Sequence, residues 1–319
     1  MFYEIKDYGA VFETLVTKTA DYLIQNNIKA QILGISGGID STVVAAICRE
    51  VSDRTGIPLI GRSLPSKYNK EGETTTADSV GKAFCDDYKV FSINELYHSY
   101  VMQITHKETG STKYTVGDNG NIERVENTFQ TPIANGNIQA RLRMMYLYNL
   151  ASIKGGLVMD TDNLTENNLG YFTIHGDVGD FNPIGGLWKT EVFKLAEYLI
   201  DFYKMACQID KSIAIFNSWS LKPTAGLGIT DSDLDEIGAE SYDQVDSILQ
   251  EILAWKWLSL FSRGDRYDST WDMRNAFLEE QQMLDTPIEV IIAVTDRHFK
   301  SEFKREQLPI KITRDEILL

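Results

Sequence analysis

Seven consecutive residues, Ser36-Gly37-Gly38-Ile39-Asp40-Ser41-Thr42, carry four side chains that can engage a phosphate or a cation. The two glycines let backbone N–H groups approach a ligand with no Cβ in the way. A helix starting just after them would present unpaired N–H groups and positive partial charge. Ser36, Ser41 and Thr42 add hydroxyl donors, so the stretch is a phosphate cradle. Asp40 is an acid beside a phosphate site, which makes sense if a divalent cation lies between carboxylate and phosphate. Two related motifs fit less well. No Lys follows the glycines as a Walker A loop requires. Gly34-Ile35-Ser36-Gly37-Gly38 matches the nucleophile elbow GxSxG, but that elbow normally follows several strands, and here it follows what reads as the first.

The elements around the cradle can be read from apolar patterning. Ile32, Leu33 and Ile35 form a buried strand, and Val43, Val44, Ala46, Ile47 and Cys48 give the buried side of a helix. An amphipathic helix over 11–24 precedes them. Further strands are expected at 58–64, 88–93 and 157–159, with helices from about 74 to 84 and over 137–153, 189–203 and 245–260. This alternation predicts an α/β fold, a doubly wound parallel sheet flanked by helices. Residues 105–134 break the rhythm as an insertion, with a β-hairpin of 113–116 and 122–125 around a Gly-Asp-Asn-Gly-Asn tip. In the 137–153 helix, Leu142, Met145, Tyr146 and Leu150 are expected on one side, with Arg141 next to them. Asp160 to Glu166 follow a strand's carboxyl end, where open α/β sheets bind ligands. The last 50 residues are expected to hold one helix, 288–299, and then a basic tail, 300–305.

The chain has 319 residues with an apolar fraction of 43%, enough for a sizeable core. Its net charge of −15 disfavours a nucleic-acid or anionic-membrane surface, so positive contacts to a polyanion must be local and few. Cys48, Cys85 and Cys207 show no CxxC pairing, which fits a reducing cytoplasm and no zinc site. The N-terminus lacks a basic region followed by an apolar one, and no apolar run approaches the roughly 20 residues of a membrane span.

SGGIDST resembles the signature loop of the N-type ATP pyrophosphatases, adenine nucleotide α-hydrolase-like proteins that cleave ATP between the α- and β-phosphates. Four further segments resemble the NAD synthetases in order and spacing: GNIQARLRM, DTDNLTE, GYFTIHGDVGDFNPIGGLWK, and LKPTAGL followed by SDLDEIGAESYDQVD. The tail SEFKREQLPIKIT also resembles theirs. The resemblance implies a single NAD synthetase domain over 1–319, with a C-terminal helical and tail segment from about 265. Gly34, Ile35, Ser36, Gly37, Gly38, Ile39, Asp40 and Ser41 would hold the ATP phosphates, with Thr161, Lys189 and Thr224 contacting ATP. Asp40 and Glu166 would bind Mg²⁺. Arg141, Asp180, Phe303 and Lys304 would contact deamido-NAD. The chain departs from the family at Asp160 in place of Gly, at Ile174 where ammonia-dependent members have Lys, and at Phe303 where they have His.

The implied reaction is amidation of deamido-NAD through an acyl-adenylate, with Asp40 and Lys189 stabilising the departing charge and Asp177 or Asp180 holding ammonium or its proton. Fewer than 35 residues precede Gly34, too few for the amidase domain of glutamine-dependent relatives, so ammonia is the expected nitrogen source. The resemblance also implies a homodimer. Met144, Met145, Tyr146 and Tyr148 cover more than one face of their helix, as burial beyond its own sheet would require. Another N-type pyrophosphatase, such as a GMP synthetase-like subunit, or a non-catalytic nucleotide-binding protein remain the other readings.

Overall fold

Ile32 and Leu33, consecutive in the first strand, enter different cores, because side chains alternate across a sheet. In the computed structural model, which describes residues 4–101, 114–116, 122–124, 132–224, 232–281, 285–307, 310–311 and 314–317, the same split recurs. Leu59 and Met159 join Leu33 on one face, and Ile60 and Val158 join Ile32 on the other. The sheet therefore has two buried faces, which is why its strands read as continuous apolar runs.

The six strands are β1 (Gln31–Gly34), β2 (Leu59–Ser63), β3 (Asp87–Val90), β6 (Leu157–Met159), β7 (Phe181–Asn182) and β8 (Ile310–Lys311). They lie in the order β3-β2-β1-β6-β7-β8, and every pair is parallel. β4 (Tyr114–Val116) and β5 (Ile122–Arg124) form the separate antiparallel hairpin, with Thr115 opposite Glu123. The expected turn residues between them lie outside the described residues. From β1 the chain winds outward to β3, then returns to place β6 on the other side of β1. The carboxyl ends of β1 and β6 thus flank a topological switch point, the usual ligand crevice of such sheets.

One face is covered by the helices Tyr8–Gln25, Ile39–Thr55, Glu71–Phe84, Lys189–Met205 and Ile209–Trp219. The Pro132–Lys154 helix covers the other. A third apolar cluster unites Val245, Ile248, Leu249 and Ile252 with Phe277, Ile291 and Val294 from the helices Tyr242–Trp257, Thr270–Glu280 and Ile288–Lys300.

Several expectations shift. The third strand stops at Val90, since Phe91 and Ile93 continue its hydrogen bonding only to Ser63 and Pro65 carbonyls. The Pro132–Lys154 helix buries Leu142 as expected, with Tyr146 and Leu150 partly buried, but also Ala140, Met144, Leu147 and Ala151, while Met145 is 58% exposed. Apolar residues occur all round this helix, so its period alone does not choose the face. The last 50 residues hold a second long helix, Thr270–Glu280, capped by Ser269 accepting from the Asp272 N–H. Phe277 is its one fully buried side chain, with Met273, Ala276 and Leu278 only partly buried beside it, too few to mark the helical period.

Candidate active site

The loop after β1 is held by its own hydroxyls. Ser36 Oγ lies 2.9 Å from Ser41 Oγ and accepts the Gly38 N–H at 3.2 Å. Gly38 O accepts from the Ser41 and Thr42 hydroxyls at 3.0 and 2.9 Å. Ser218, on the Ile209–Trp219 helix, donates to Gly37 O at 2.9 Å. Gly37 has φ +87°, and a Cβ there would collide with Glu73 O, so glycine is required for both conformation and close helix approach. Gly38 caps the Ile39–Thr55 helix without a side chain, leaving its first turn to a ligand.

Asp40, in that first turn, meets two residues from β6 and beyond. Lys189 Nζ lies 2.5 Å from Asp40 Oδ2 and 3.0 Å from Glu166 Oε1. Asn163 Nδ2 donates to Asp40 Oδ1 at 2.9 Å. Asn163 also caps the short Leu164–Leu169 helix in a reciprocal box with Glu166, with bonds of 3.0 and 3.2 Å. Asp160 accepts from the Asp162 and Gly179 N–H groups at 2.7 and 2.6 Å and from Asn182 Nδ2 at 3.1 Å. It ties the strand end to the 177–182 segment.

Burial sets the charges here. Lys189 is 2% exposed, and burial works against its charge, yet Asp40 and Glu166 outweigh this and hold its pKa well above the usual lysine value. Burial raises Glu166 to about 7 against the pull of Lys189. Burial, with Asp160 next, drives Asp162 well above the ordinary carboxylate range. Asp177 is also raised by burial, although it accepts the Thr173 N–H at 2.7 Å. These groups face one crevice, where perturbed titration and chemistry commonly coincide.

That crevice is a cavity of about 420 Å³ at the switch point. Gly34, Ile35, Ser36, Gly38, Ile39, Asp40, Ser41, Thr161, Glu166, Asp177, Lys189, Thr224 and Lys304 line it. Gly37 sits behind them in the loop. Thr224 Oγ1 donates to Glu73 Oε1 at 2.5 Å, and Lys304 Nζ donates to the Gly170 and Phe172 carbonyls at 2.7 Å each. Arg141 lines an adjoining hollow of about 380 Å³ with Tyr148, Ile174 and His175. Asp180 and Phe303 line neither space. Asp180 Oδ2 accepts the Val158 N–H at 2.9 Å, and Phe303 is 61% exposed.

The cavity also takes in residues that motif reading passed over, including Arg62, Asn69, Glu73, Arg143, Asp233 and Arg297. Arg143 lay in sight, two positions after Arg141. A two-residue step turns a helix by about 200°, so the pair points apart. Arg141 Nε donates to Ile174 O at 3.3 Å, and Arg143 Nε to Leu64 O at 3.0 Å. Arg62, Arg143, Lys222, Arg297 and Lys304 supply the local positive charge that an acidic chain needs for a polyanion.

Among the described residues no three His, Cys, Asp or Glu side chains converge as a self-sufficient metal centre. Asp40 and Glu166 converge as a pair on one ammonium. Two carboxylates completed by phosphate oxygens and water suit Mg²⁺, so the residues present fit that ion.

The chain matches the NAD synthase family over residues 11–308. It is 32% identical over 228 residues to the NH(3)-dependent NAD(+) synthetase of Methanococcoides burtonii, covering 71% of this chain and 73% of that one. It is likewise 32% identical to the Thermoplasma acidophilum enzyme of the same name, over 70% and 77% of the two chains. The structure of an NH3-dependent NAD synthetase from Campylobacter jejuni superposes with a TM-score of 0.62 at 22% identity, over 95% of this chain and 98% of that one. At that identity the likeness shows the shared fold. No helix among the described residues is long and apolar enough to cross a membrane.

Proposed function

The chain belongs to the NAD synthase family, and on that premise we propose that it uses ATP and ammonia to convert deamido-NAD to NAD, releasing AMP and pyrophosphate. The observation that carries this reading is the Asp40–Lys189–Glu166 constellation at the mouth of the Ser36–Ser41 loop, inside one cavity.

A nicotinate carboxylate is a poor electrophile. Its oxygen attacks the α-phosphorus of ATP, pyrophosphate leaves, and the acyl-adenylate then accepts ammonia at its acyl carbon while AMP departs. The residues 34–41, with the first helical N–H groups, bind the phosphates, and Thr161 and Thr224 orient the nucleotide. Lys189 places a fixed positive charge where negative charge develops on the leaving pyrophosphate. Asp40 and Glu166 would hold Mg²⁺, which supplies Lewis-acid stabilisation of phosphate charge when bound. Asp177, with its raised affinity for a proton, holds ammonium or accepts the proton that ammonia sheds. Arg141 from the hollow and Lys304 from the cavity contact deamido-NAD, and Phe172 lines both spaces. Asp180 acts on that substrate only indirectly, by accepting the Val158 N–H, and Phe303, exposed and outside both spaces, is assigned no contact.

The chain works as a homodimer on this reading. Met145 and Tyr148 border the Arg141 hollow at 58% and 39% exposure, which supports a partner there. We take residues 1–319 as one domain. The three free cysteines suit the cytoplasm. Incubation with ATP, Mg²⁺ and ammonium, with and without deamido-NAD, tests the reaction: AMP and NAD should appear together, and AMP formation independent of deamido-NAD would refute it.

A further inference from the structure

Lys189 and Glu166 reach each other from two helices whose own N-termini lie side by side, and one carboxylate fastens both. Asp246, on the Tyr242–Trp257 helix, is 2% exposed. Its Oδ1 accepts from Thr165 Oγ1 at 2.5 Å. Its Oδ2 accepts from the Thr190 N–H at 3.0 Å and the Thr190 hydroxyl at 2.8 Å. Thr165 Oγ1 in turn accepts the Lys189 N–H at 2.8 Å. Thr165 and Thr190 are the chain neighbours of Glu166 and Lys189.

We propose that Asp246 is a positioning residue for the reaction, holding Lys189 and Glu166 in register through Thr165 and Thr190. This rests on the activity assigned above. At the start of the Lys189–Met205 helix the Trp188 N–H donates to Glu191 Oε2 at 2.9 Å, and the next free donor, the Thr190 N–H, goes to Asp246. Asp246 thus adds a cap from a different helix, and a carboxylate is favoured at a helix N-terminus. Because the same carboxylate also takes the Thr165 hydroxyl, the start of the Lys189–Met205 helix has a fixed offset from the Leu164–Leu169 helix that carries Glu166. Asp246 itself lines neither the cavity nor the adjoining hollow, so it acts only through its neighbours. Groups that orient ligand side chains in this way matter nearly as much as the ligands.

The test is Asp246→Asn, which keeps the shape but replaces one acceptor oxygen with a donor. Turnover of the parent chain decides the assigned reaction, and the variant-to-parent ratio decides the positioning role. The variant is expected to melt cooperatively and to lose about 10- to 100-fold in kcat. Its ATP dissociation constant, measured by equilibrium binding, should stay within about threefold of the parent's, because the phosphate loop is untouched and Lys189 acts on charge that develops only as pyrophosphate leaves. Thr165→Val should lose turnover in the same sense, Thr165→Ser should restore most of it, and the double variant Asp246→Asn/Thr165→Val should be no worse than the poorer single. Asp243→Asn, exposed on the same helical turn, is the control. A kcat for Asp246→Asn within about threefold of the parent's, additive losses in the double variant, or ATP affinity falling as far as kcat would overturn the proposal. If Asp246→Asn does not fold, the Thr165 pair decides: equal turnover of Thr165→Val and Thr165→Ser rejects it, and loss with recovery upholds it.

Discussion

Lys189 Nζ lies 2.5 Å from Asp40 Oδ2 across a separation of 149 residues, and the ammonium is buried while the carboxylate is 16% exposed. A desolvated charge is retained only where partners compensate it. Asp40 and Glu166 provide that compensation, and the same two carboxylates are the pair suited to Mg²⁺.

Asp40→Asn removes a ligand charge without changing shape. Lys189 keeps Glu166 as a partner, so the fold should persist. Turnover should fall by at least about 100-fold, the scale of losing one preorganised electrostatic contact. Near-normal activity at saturating Mg²⁺ would remove Asp40 from the metal site.

Lys189→Met leaves Asp40 and Glu166 facing each other with no cation between them. Breaking a buried pair by deleting one partner costs about 3 kcal/mol, so the variant should melt at a lower temperature. Mg²⁺ should then raise its melting temperature more than it raises the parent's, because the ion restores the missing positive charge. Equal Mg²⁺ shifts in the two proteins would argue that the ion binds elsewhere.

Asp246 gives a pH prediction through stability. Burial pushes its carboxyl from 3.8 up to about 6, with Glu191 adding to the rise and the bonds from Thr165 and Thr190 opposing it. Between those two values the folded chain holds more protons than the unfolded one, so this group's contribution to stability falls as pH rises through that window. Urea unfolding at several pH values should show the parent losing ground to Asp246→Asn across that window and a constant gap above it. A constant gap throughout would place the carboxyl at its ordinary value.

Ammonium should support NAD formation by the purified chain, and glutamine alone should not. The two relatives that are 32% identical to this chain are both NH(3)-dependent enzymes. Efficient glutamine use by this chain alone would refute the assignment of nitrogen source.

Light scattering should return twice 36.1 kDa if the Arg141 hollow is completed by a second copy. Met145→Glu adds a charge at a position that is 58% exposed, so it should leave the monomer's fold intact while weakening both dimerisation and deamido-NAD binding. A fully active monomer, or dissociation with unchanged deamido-NAD affinity, would end that reading.

What the sequence determined by itself is what neighbours along the chain decide. The strand, glycine turn and helix of 31–55 follow from apolar runs and a cap within a few residues of one another, and β1, β2 and β6 from short buried runs. The ordered motifs also named Asp40, Glu166 and Lys189. β7 and β8, two residues each, carry no period and exist only because β6 offers an edge to β7 and β7 in turn to β8. The helix Asn94–Tyr100 has one buried side chain, Tyr97, too few to mark it. The buried face of the Pro132–Lys154 helix was set by the sheet it covers, and the opposite aims of Arg141 and Arg143 by that face. The meeting of Lys189 with Asp40 and Glu166, and its support by Asp246, were decided only by tertiary structure. These contacts link positions 23 to 149 residues apart, and whether a charge is buried beside its partner depends on the packing of the whole sheet and its helices.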